Sequence, residues 1–468
     1  MGITFGTSGW RAIIADEFTL ANVRLVTRSI AEVLADEAAG GRMVVGYDTR
    51  FLSETFAAGC AAELAQSGFE TYLTTRDTPT PTIAYAIRSL KARGGINFTA
   101  SHNPPQYNGM KFSTADGAPA LPEVTQKIER RIAELQAKPQ QPTATVSEAK
   151  PIAFDPREDY LKDLAAKINF ERIAAAKLRL AYDPLWGTGR GYLDEALRRL
   201  GCEVEMVHDH RDVLFGGHSP EPSEKNLGEM RALVTEKKLA LGVSTDGDAD
   251  RFGFIDRDGA FISANHVLAL LLDYLCETRP NWSGGVARSV ATTHLLDRIA
   301  RRYGREVYET PVGFKFIGEL VNADKIILGG EESAGLTIKG HYPEKDGILA
   351  CLLVAEMVAA RGTSLGEMLQ EIFRRDGALY SERVGIKLTP EVKARLQARL
   401  AAETPTHIGE RRVVEVNRMD GVKYIFDDGS WLLLRMSGTE PVVRCYAETD
   451  SRTDLEVLLE TGSKFVLN

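Results

Sequence analysis

The sequence predicts an α/β chain of three similar α/β domains followed by a smaller α+β C-terminal domain. Three observations predict it. A strand–helix–strand pattern recurs three times, polar proline-bearing stretches interrupt it, and past about Asp376 the pattern changes to short strands divided by turn signals. A chain of 468 residues has room for several cores, at roughly 150 residues per domain.

The first copy runs from Met43 (MVVGYDTR) through an alanine-rich helical stretch to GFETYL at Gly68. The second runs from Leu178 (LRLAYDPLWGTG) to GCEVEM at Gly201, and the third from Gly285 (GVARSVATTH) to GREVYE at Gly304. Each is an apolar strand, a polar loop, an amphipathic helix, a glycine stop and a second β-rich run. The glycine suits the left-handed position at a helix C-terminus. Strand, helix and strand in that order make a parallel βαβ unit. Residues 138–150 (KPQQPTATVSEAK) form a surface connection, and GGHSPEPSEKN from Gly216 separates the second copy from the next helix. Near the C-terminus ERRVVEV, GVKYIF and WLLLRMSG are strands, with a turn at Asp428-Gly429. The expected divisions are 1–150, 151–254, 255–375 and 376–468.

Composition narrows the function. With 44% hydrophobic and 26% charged residues the chain is globular, neither disordered nor fibrous. Its apolar runs fall short of the roughly 18 residues a spanning helix needs. The N-terminus lacks the basic and apolar segments of a secretory signal. Cys60, Cys202, Cys276, Cys351 and Cys445 are far apart and form no C-x-x-C, which argues against a disulfide scaffold or zinc ribbon and for a reducing cytoplasm. The net charge is −8, unlike that of a nucleic-acid binder, so an anionic ligand must be met by local cations.

Chemistry concentrates in four places. The first is NFTASHNPPQYNGMKF from Asn97. Pro104 and Pro105 forbid the strand's continuation, so Ser101 and His102 sit on a loop at a strand's end, where open α/β sheets bind ligands. Ser101 can serve as nucleophile or phosphoryl carrier, and His102 and Lys111 can move protons; an ordinary turn uses the same residue types. No G-x-S-x-G elbow marks a serine hydrolase. The second is Asp246, Asp248 and Asp250 in TDGDADR, three carboxylates able to converge on one hard cation. The EF-hand pattern fails, with Arg251 and Arg257 where glycine and glutamate belong. Carboxylates so close repel without a counterion. The third is GGEESAG from Gly329, where Glu331 and Ser333 offer groups suited to sugar hydroxyls, although a plain turn fits as well. Downstream, Lys345 between Glu344 and Asp346 has the local look of a surface lysine. The fourth is RMSGTEP from Arg435, with Arg444 beyond it: guanidinium groups, hydroxyls and glycine-exposed amides form a phosphate cradle. No Walker pattern occurs.

In this order and at these separations the motifs resemble the α-D-phosphohexomutase family over essentially the whole chain. TASHNPPQYNGMKF is similar to its phosphoserine loop, DGDADR to its metal loop, GEES to its sugar loop and RMSGTEP to its phosphate loop. The start, Gly6-Thr7-Ser8-Gly9-Trp10-Arg11, matches the family's GTSG-x-R. The resemblance implies four domains around a central cleft, three α/β domains with mixed sheets and a smaller α+β C-terminal domain. It implies that Ser101 carries the phosphoryl group, and that Asp246, Asp248 and Asp250 hold Mg²⁺ with an oxygen of that phosphoserine. It places Arg11 and Arg251 toward substrate, Glu331 and Ser333 on the sugar, and Arg435, Ser437, Gly438, Thr439 and Arg444 on the phosphate that is not reacting. His102, Lys111 and Lys345 occupy positions linked to proton transfer or phosphate contact.

The activity so implied is the interconversion of hexose 1-phosphate and hexose 6-phosphate, with glucose 1,6-bisphosphate as activator and intermediate. The partner is a small phosphosugar, with no nucleic acid or membrane. Glu332 in GEES resembles the phosphoglucomutase branch. TPVGFKFIGEL from Thr310 resembles the glucose-type P-T-G-W-K-F-F-G, with Val312 and Phe314 as departures. Glucose 1-phosphate is therefore the first expectation, and mannose 1-phosphate, or both sugars, the second. A hinge motion gated by Arg435 and Arg444 is expected. A metal-dependent phosphatase would have no use for the second phosphate cradle, and a non-catalytic sugar-phosphate sensor would be free to lose Ser101 or an aspartate, all of which are present.

Overall fold

The structure is a computed structural model that describes residues 3–6, 9–137, 149–402, 404–437 and 441–467. The chain forms two compact units. The first holds Met1–Ala264, Gly318–Asp324 and Ser333–Gly366, and the second Asn265–Ile317, Lys325–Glu332 and Glu367–Asn468.

In the first unit, strand Arg42–Tyr47, helix Ser53–Gln66 and strand Glu70–Thr74 make the first parallel βαβ repeat, with Met43 opposite Thr71. Successive residues Met43, Val44 and Val45 are all buried, as a strand covered on both faces requires. Their sheet runs in the order Trp10–Ile13, Tyr107–Thr114, Gly94–Phe98, Arg42–Tyr47, Glu70–Thr74, Ile152–Phe154. Its first two pairings are antiparallel and the other three parallel, so the sheet is mixed. Helix Leu20–Glu37 begins where Thr19 Oγ1 accepts from the Asn22 amide, and it turns Val23, Val26 and Ile30 into a core shared with Trp10, Phe18, Phe56 and Phe98. The second repeat is strand Arg179–Asp183, helix Leu193–Arg199 and strand Glu203–Met206. Its sheet has the order Phe261–Ile262, Phe252–Asp256, Leu241–Thr245, Arg179–Asp183, Glu203–Met206 and is again mixed. Helix Gly347–Arg361 is apolar nearly all round and almost wholly buried, a core helix started by the Asp346 carboxylate accepting from the Leu349 amide. No single helix among the described residues is long and apolar enough to cross a membrane.

Both sheets run past the expected divisions. Ile152–Phe154 pairs with Glu70–Thr74, beyond residue 150, and strand Phe252–Asp256 crosses residue 254 and continues into its hairpin partner Phe261–Ile262. A cut at either place would strip backbone groups of their ladder partners.

The second unit holds the third repeat, strand Gly285–Ser289, helix Leu295–Arg302 and strand Val307–Thr310, with strand Ile326–Glu331 parallel on the other side of Gly285–Ser289. In all three repeats the glycine after the helix (Gly68, Gly201, Gly304) has positive φ, the left-handed stop the sequence predicts. The C-terminal sheet is antiparallel, in the order Tyr380–Lys387, Val442–Thr449, Trp431–Met436, Val422–Phe426, Arg411–Asn417, His407–Ile408. Helices Pro390–Ala401 and Arg452–Leu467 cover it with Leu396, Leu400, Leu455 and Leu458.

Candidate active site

Strand Gly94–Phe98 is buried along its whole length and delivers the loop behind it to the end of the first sheet. Ser101 sits on that loop, buried, with left-handed backbone (φ 50°), a conformation that strains a non-glycine residue. Its amide donates to Thr99 Oγ1 (2.9 Å). The fully buried Arg50 guanidinium holds the rest of the loop. It donates to the carbonyl oxygens of Ser101 (2.6 Å), Asn103 (2.6 Å), Pro104 (2.9 Å) and Tyr107 (2.9 Å) and to Asp48 Oδ2 (3.1 Å). Arg50 ends the segment MVVGYDTR, and nothing local marks this duty, because its loop partners lie 51 to 57 positions farther along the chain.

Strands Leu241–Thr245 and Phe252–Asp256, both wholly buried, present the three aspartates on the turn between them. The Ser101 hydroxyl donates to Asp246 Oδ2 (2.7 Å), and Asp246 Oδ1 accepts from the Arg251 amide (3.0 Å). Asp248 Oδ2 accepts from Thr80 (2.6 Å) and Lys111 (2.6 Å). Asp250 Oδ2 accepts from Lys111 (2.9 Å) and pairs with Lys345 (3.0 Å). Lys345 is thus buried at the triad and not at the surface, as its acidic neighbours had allowed. Arg11 Nη1 donates to Asn103 Oδ1 (2.6 Å) on the serine loop, and Arg251 Nε lies 3.9 Å from Asp250 Oδ1.

One carboxylate oxygen from each of Asp246, Asp248 and Asp250 lies within 4.8 Å of the others. The lysines occupy Oδ2 of Asp248 and Asp250. The Oδ1 atoms of both are buried without a hydrogen-bond partner among the described residues. Buried acceptors left without donors are strongly unfavourable. An all-oxygen set of this kind suits a hard divalent cation such as Mg²⁺, so the residues fit the metal.

The charges shift accordingly. Burial, with repulsion from Asp248 and Asp250, pushes the Asp246 carboxyl well above the usual carboxylate range. Against the penalty of burial, Lys111 and Lys345 hold Asp250 below it. Burial, followed by Arg251 and Arg11, keeps the His102 imidazole well below its ordinary value; its Nδ1 lies 3.4 Å from Ser101 Oγ. Glu344, which the sequence reading did not select, is buried, and desolvation lifts it to about 7 despite Lys345 and Lys111.

The remaining residues are divided between the units. Ser333, half-buried, belongs to the first unit, in a turn whose Ala334 carbonyl accepts from the Phe252 amide (3.2 Å). Glu331 ends strand Ile326–Glu331 in the second unit, buried, with Oε1 accepting from the Gly313 amide (2.8 Å). Beside it Glu332 Oε2 accepts from Ser289 (3.1 Å) and Thr292 (3.3 Å). In the C-terminal sheet Arg435 and Arg444 stand opposite each other on neighbouring antiparallel strands, an arrangement that repels unless an anion is near. The Ser437 amide donates to the Val442 carbonyl (2.9 Å) at the base of the RMSGTEP loop. Gly438 and Thr439 lie outside the described residues, as do Thr7 and Ser8 of the N-terminal motif.

Comparison with known proteins agrees with the fold. Phosphoglucomutase/phosphomannomutase alpha/beta/alpha domains I, II and III match residues 2–139, 158–259 and 263–375, and the C-terminal domain of the same family matches 390–461. A phosphoglucomutase/phosphomannomutase of Thermococcus kodakarensis is 31% identical over 471 residues, covering 100% of this chain and 99% of its own. A Pyrococcus abyssi protein, provisionally named a phosphoglucosamine mutase, is 30% identical and covers 100% of this chain and 98% of its own. A solved structure from Thermus thermophilus, provisionally named a phosphomannomutase, matches with a TM-score of 0.88 at 35% identity over 100% of both chains. With all four domains matched in order along its length, the chain belongs to the phosphoglucomutase/phosphomannomutase family of phosphohexomutases.

Proposed function

We propose that the protein interconverts glucose 1-phosphate and glucose 6-phosphate by way of a phosphoryl group carried on Ser101. The observation that carries this reading is the Ser101 hydroxyl, buried on a strained loop and 2.7 Å from Asp246 of an acid triad two of whose oxygens have no partner among the described residues. In the first half-reaction the bond from Ser101 Oγ to phosphorus breaks as a substrate hydroxyl forms its own bond to phosphorus. The product is glucose 1,6-bisphosphate. The bisphosphate turns round, and its other phosphoryl group returns to Ser101. Each transfer demands positioning and charge stabilisation more than covalent chemistry. Asp246, Asp248 and Asp250, with a phosphoserine oxygen, would hold magnesium, which would supply that charge stabilisation.

The chain's own residues do the rest. The attacking hydroxyl loses a proton, and His102, Lys111 and Lys345 are the groups we assign to proton handling and phosphate contact. Arg11 and Arg251 meet the reacting phosphate. Arg435, Ser437, Gly438, Thr439 and Arg444 grip the other one, whose binding energy positions the sugar. Glu331 and Ser333 select the sugar's hydroxyls. We take the domains as 1–156, 157–262, 263–375 and 376–468, keeping each of the first two sheets whole.

Glucose is favoured by Glu332 in GEES. Mannose 1-phosphate, or both sugars, is the second reading, because Val312 and Phe314 depart from the glucose-type pattern. The relatives' names extend the choice to glucosamine phosphate. The test is turnover of the 1-phosphates of glucose, mannose and glucosamine with Mg²⁺ and a trace of the matching 1,6-bisphosphate, for wild type and Ser101→Ala. We expect glucose to be the best substrate and the variant to lose at least about a thousandfold in turnover. Activity surviving in the variant would sink the phosphoserine mechanism, and a different best sugar would rename the substrate.

A further inference from the structure

Asp420 stands in none of the four motifs, yet it touches two regions to which the mutase reading gives work. It precedes the strand Val422–Phe426, whose Val422 lies opposite Leu434 in the antiparallel ladder, so the chain entering that strand passes Arg435. Gly421 has positive φ (85°), and a side chain there would meet the Leu434 carbonyl and Arg435 Cα at 2.6 and 3.1 Å. The chain is pressed onto the Arg435 backbone, and the Asp420 carboxylate reaches the guanidinium: Arg435 Nε donates to Asp420 Oδ2 at 2.8 Å.

The same oxygen accepts from the Val312 amide at 3.0 Å. The next amide along, that of Gly313, donates to Glu331 Oε1 at 2.8 Å. Two successive peptide N–H groups therefore link the Arg435 carboxylate partner to the Glu331 carboxylate. The contact is reinforced nearby, where Asn417 Nδ2 donates to Glu309 Oε2 (2.6 Å) on the strand that leads into this loop. The linking groups are backbone amides, so the chain of bonds does not depend on the side chains at 312 and 314, the places where the sequence departs from the glucose-type pattern. Because Asp420 engages Nε, a phosphate is met by the terminal nitrogens Nη1 and Nη2, the pair that gives bidentate recognition.

We propose that Asp420 is a positioning residue that fixes the phosphate-binding face of Arg435 and couples it, through the Val312 and Gly313 amides, to the sugar-binding Glu331. The proposal rests on the assignment of Arg435 to the phosphate cradle and of Glu331 to the sugar. A phosphate well seated on Arg435 then steadies the loop that holds Glu331, so affinity for the phosphate and discrimination between sugars move together.

The experiment measures kcat and KM for glucose 1-phosphate and mannose 1-phosphate in wild type, Asp420→Ala, Asp420→Asn, Arg435→Ala and the Asp420→Ala/Arg435→Ala double variant, with folding checked by circular dichroism. Arg435→Ala and Asp420→Ala are each expected to raise KM by about tenfold, the usual size for a charge-assisted hydrogen bond, with kcat changing less. The KM of the double variant is expected to be no worse than that of Arg435→Ala alone, since Asp420 reaches the phosphate through that side chain, while its sugar ratio is expected to follow Asp420→Ala, which loses the Val312 contact. Asp420→Asn, which keeps one acceptor for the Val312 amide, is expected to be intermediate and to remain folded. The ratio of kcat/KM between the two sugars is expected to change at least threefold in Asp420→Ala. Multiplicative effects on KM in the double variant, or an unchanged sugar ratio in Asp420→Ala, would overturn the proposal and leave the cradle standing. An unchanged KM in Arg435→Ala would remove the cradle assignment itself, and the proposal with it.

Discussion

Each unit buries a cluster of charge, and the two clusters are built to different ends. In the first, Asp246, Asp248 and Asp250 meet Lys111 and Lys345, and two carboxylate oxygens and Arg251 Nε remain without hydrogen-bond partners among the described residues. In the second, Lys423 donates to the Val290 carbonyl (2.8 Å) and to His294 Nε2 (2.7 Å) and lies 4.2 Å from the centre of the Trp431 ring. Arg288 there donates to both oxygens of Asp297 and to Glu309 (2.6 Å). Burial of charge is common to both; the degree of satisfaction is not, because in the second cluster Lys423 and Arg288 find their acceptors and only Glu448 Oε2 is left without a partner among the described residues. The satisfied cluster holds the third repeat and the C-terminal sheet in register, as the apolar contacts of Val290 and Ala291 with Trp431, Leu433 and Tyr446 also do. The unsatisfied one stores repulsion that a cation relieves. Unmet oxygens of like charge on neighbouring carboxylates, more than burial or charge, separate this candidate reaction centre from the structural joint.

The largest effect should come from Asp246→Asn. The charge of Asp246 is already disfavoured in the metal-free protein, by burial first and by its two neighbours next. Neutralising it should move the metal-free melting temperature by no more than about 3 °C. Turnover should fall at least about a thousandfold, and the stabilisation by added Mg²⁺ should disappear from a thermal shift series. A variant that melts far below wild type would show that the triad is structural after all, and the contrast would collapse.

Arg50→Lys should come next. A lysine has three donors on one atom where arginine has a planar fork of five, so it cannot reach four loop carbonyls and Asp48 together. The loop should lose its shape by about an ångström, and kcat should fall about a hundredfold while KM changes less. Steady-state kinetics beside a melting curve would check this. A kcat equal to that of wild type would mean that the loop holds itself.

The smallest effect belongs to the satisfied cluster. Burial, with Arg288 adding repulsion, lowers Lys423 from 10.5 to about 8, against the pull of Glu309 and Glu448. Between those values the unfolded chain binds more protons than the folded one, so this group makes stability rise with pH across that window. Lys423→Met should flatten the rise of melting temperature between pH 8 and 10.5 by about 2–4 °C, with little change in turnover. An identical pH profile in the variant would show that Lys423 carries no such strain.

The three repeats were legible because each combines local signals: an apolar strand, a helical period and a glycine stop. The motif residues of the first unit were legible because aspartates at alternate positions and a serine before two prolines are unusual in themselves. Arg50 was hidden because its partners are backbone carbonyls, which leave no trace in residue identity. Lys345 was misread locally, because a lysine between acids looks solvated until Asp250, 95 positions earlier, is folded against it. The edge strand Ile152–Phe154 was hidden for the same reason, since its ladder partner Glu70–Thr74 lies far back in the chain. Phe261–Ile262 pairs locally, in a hairpin with Phe254 and Ile255, but two- and three-residue strands carry almost no period of their own.

The grip of Arg50 on the serine loop bears on how such an enzyme can be altered. The loop's form is set from outside, through main-chain oxygens that every residue possesses. Gln106, exposed and outside these bonds, is thereby left at liberty to differ without remodelling the turn, whereas the Asn103 side chain is held by Arg11. A designer seeking a new acceptor can vary Gln106 on a fixed socket, provided Arg50 and its partner Asp48 are left untouched.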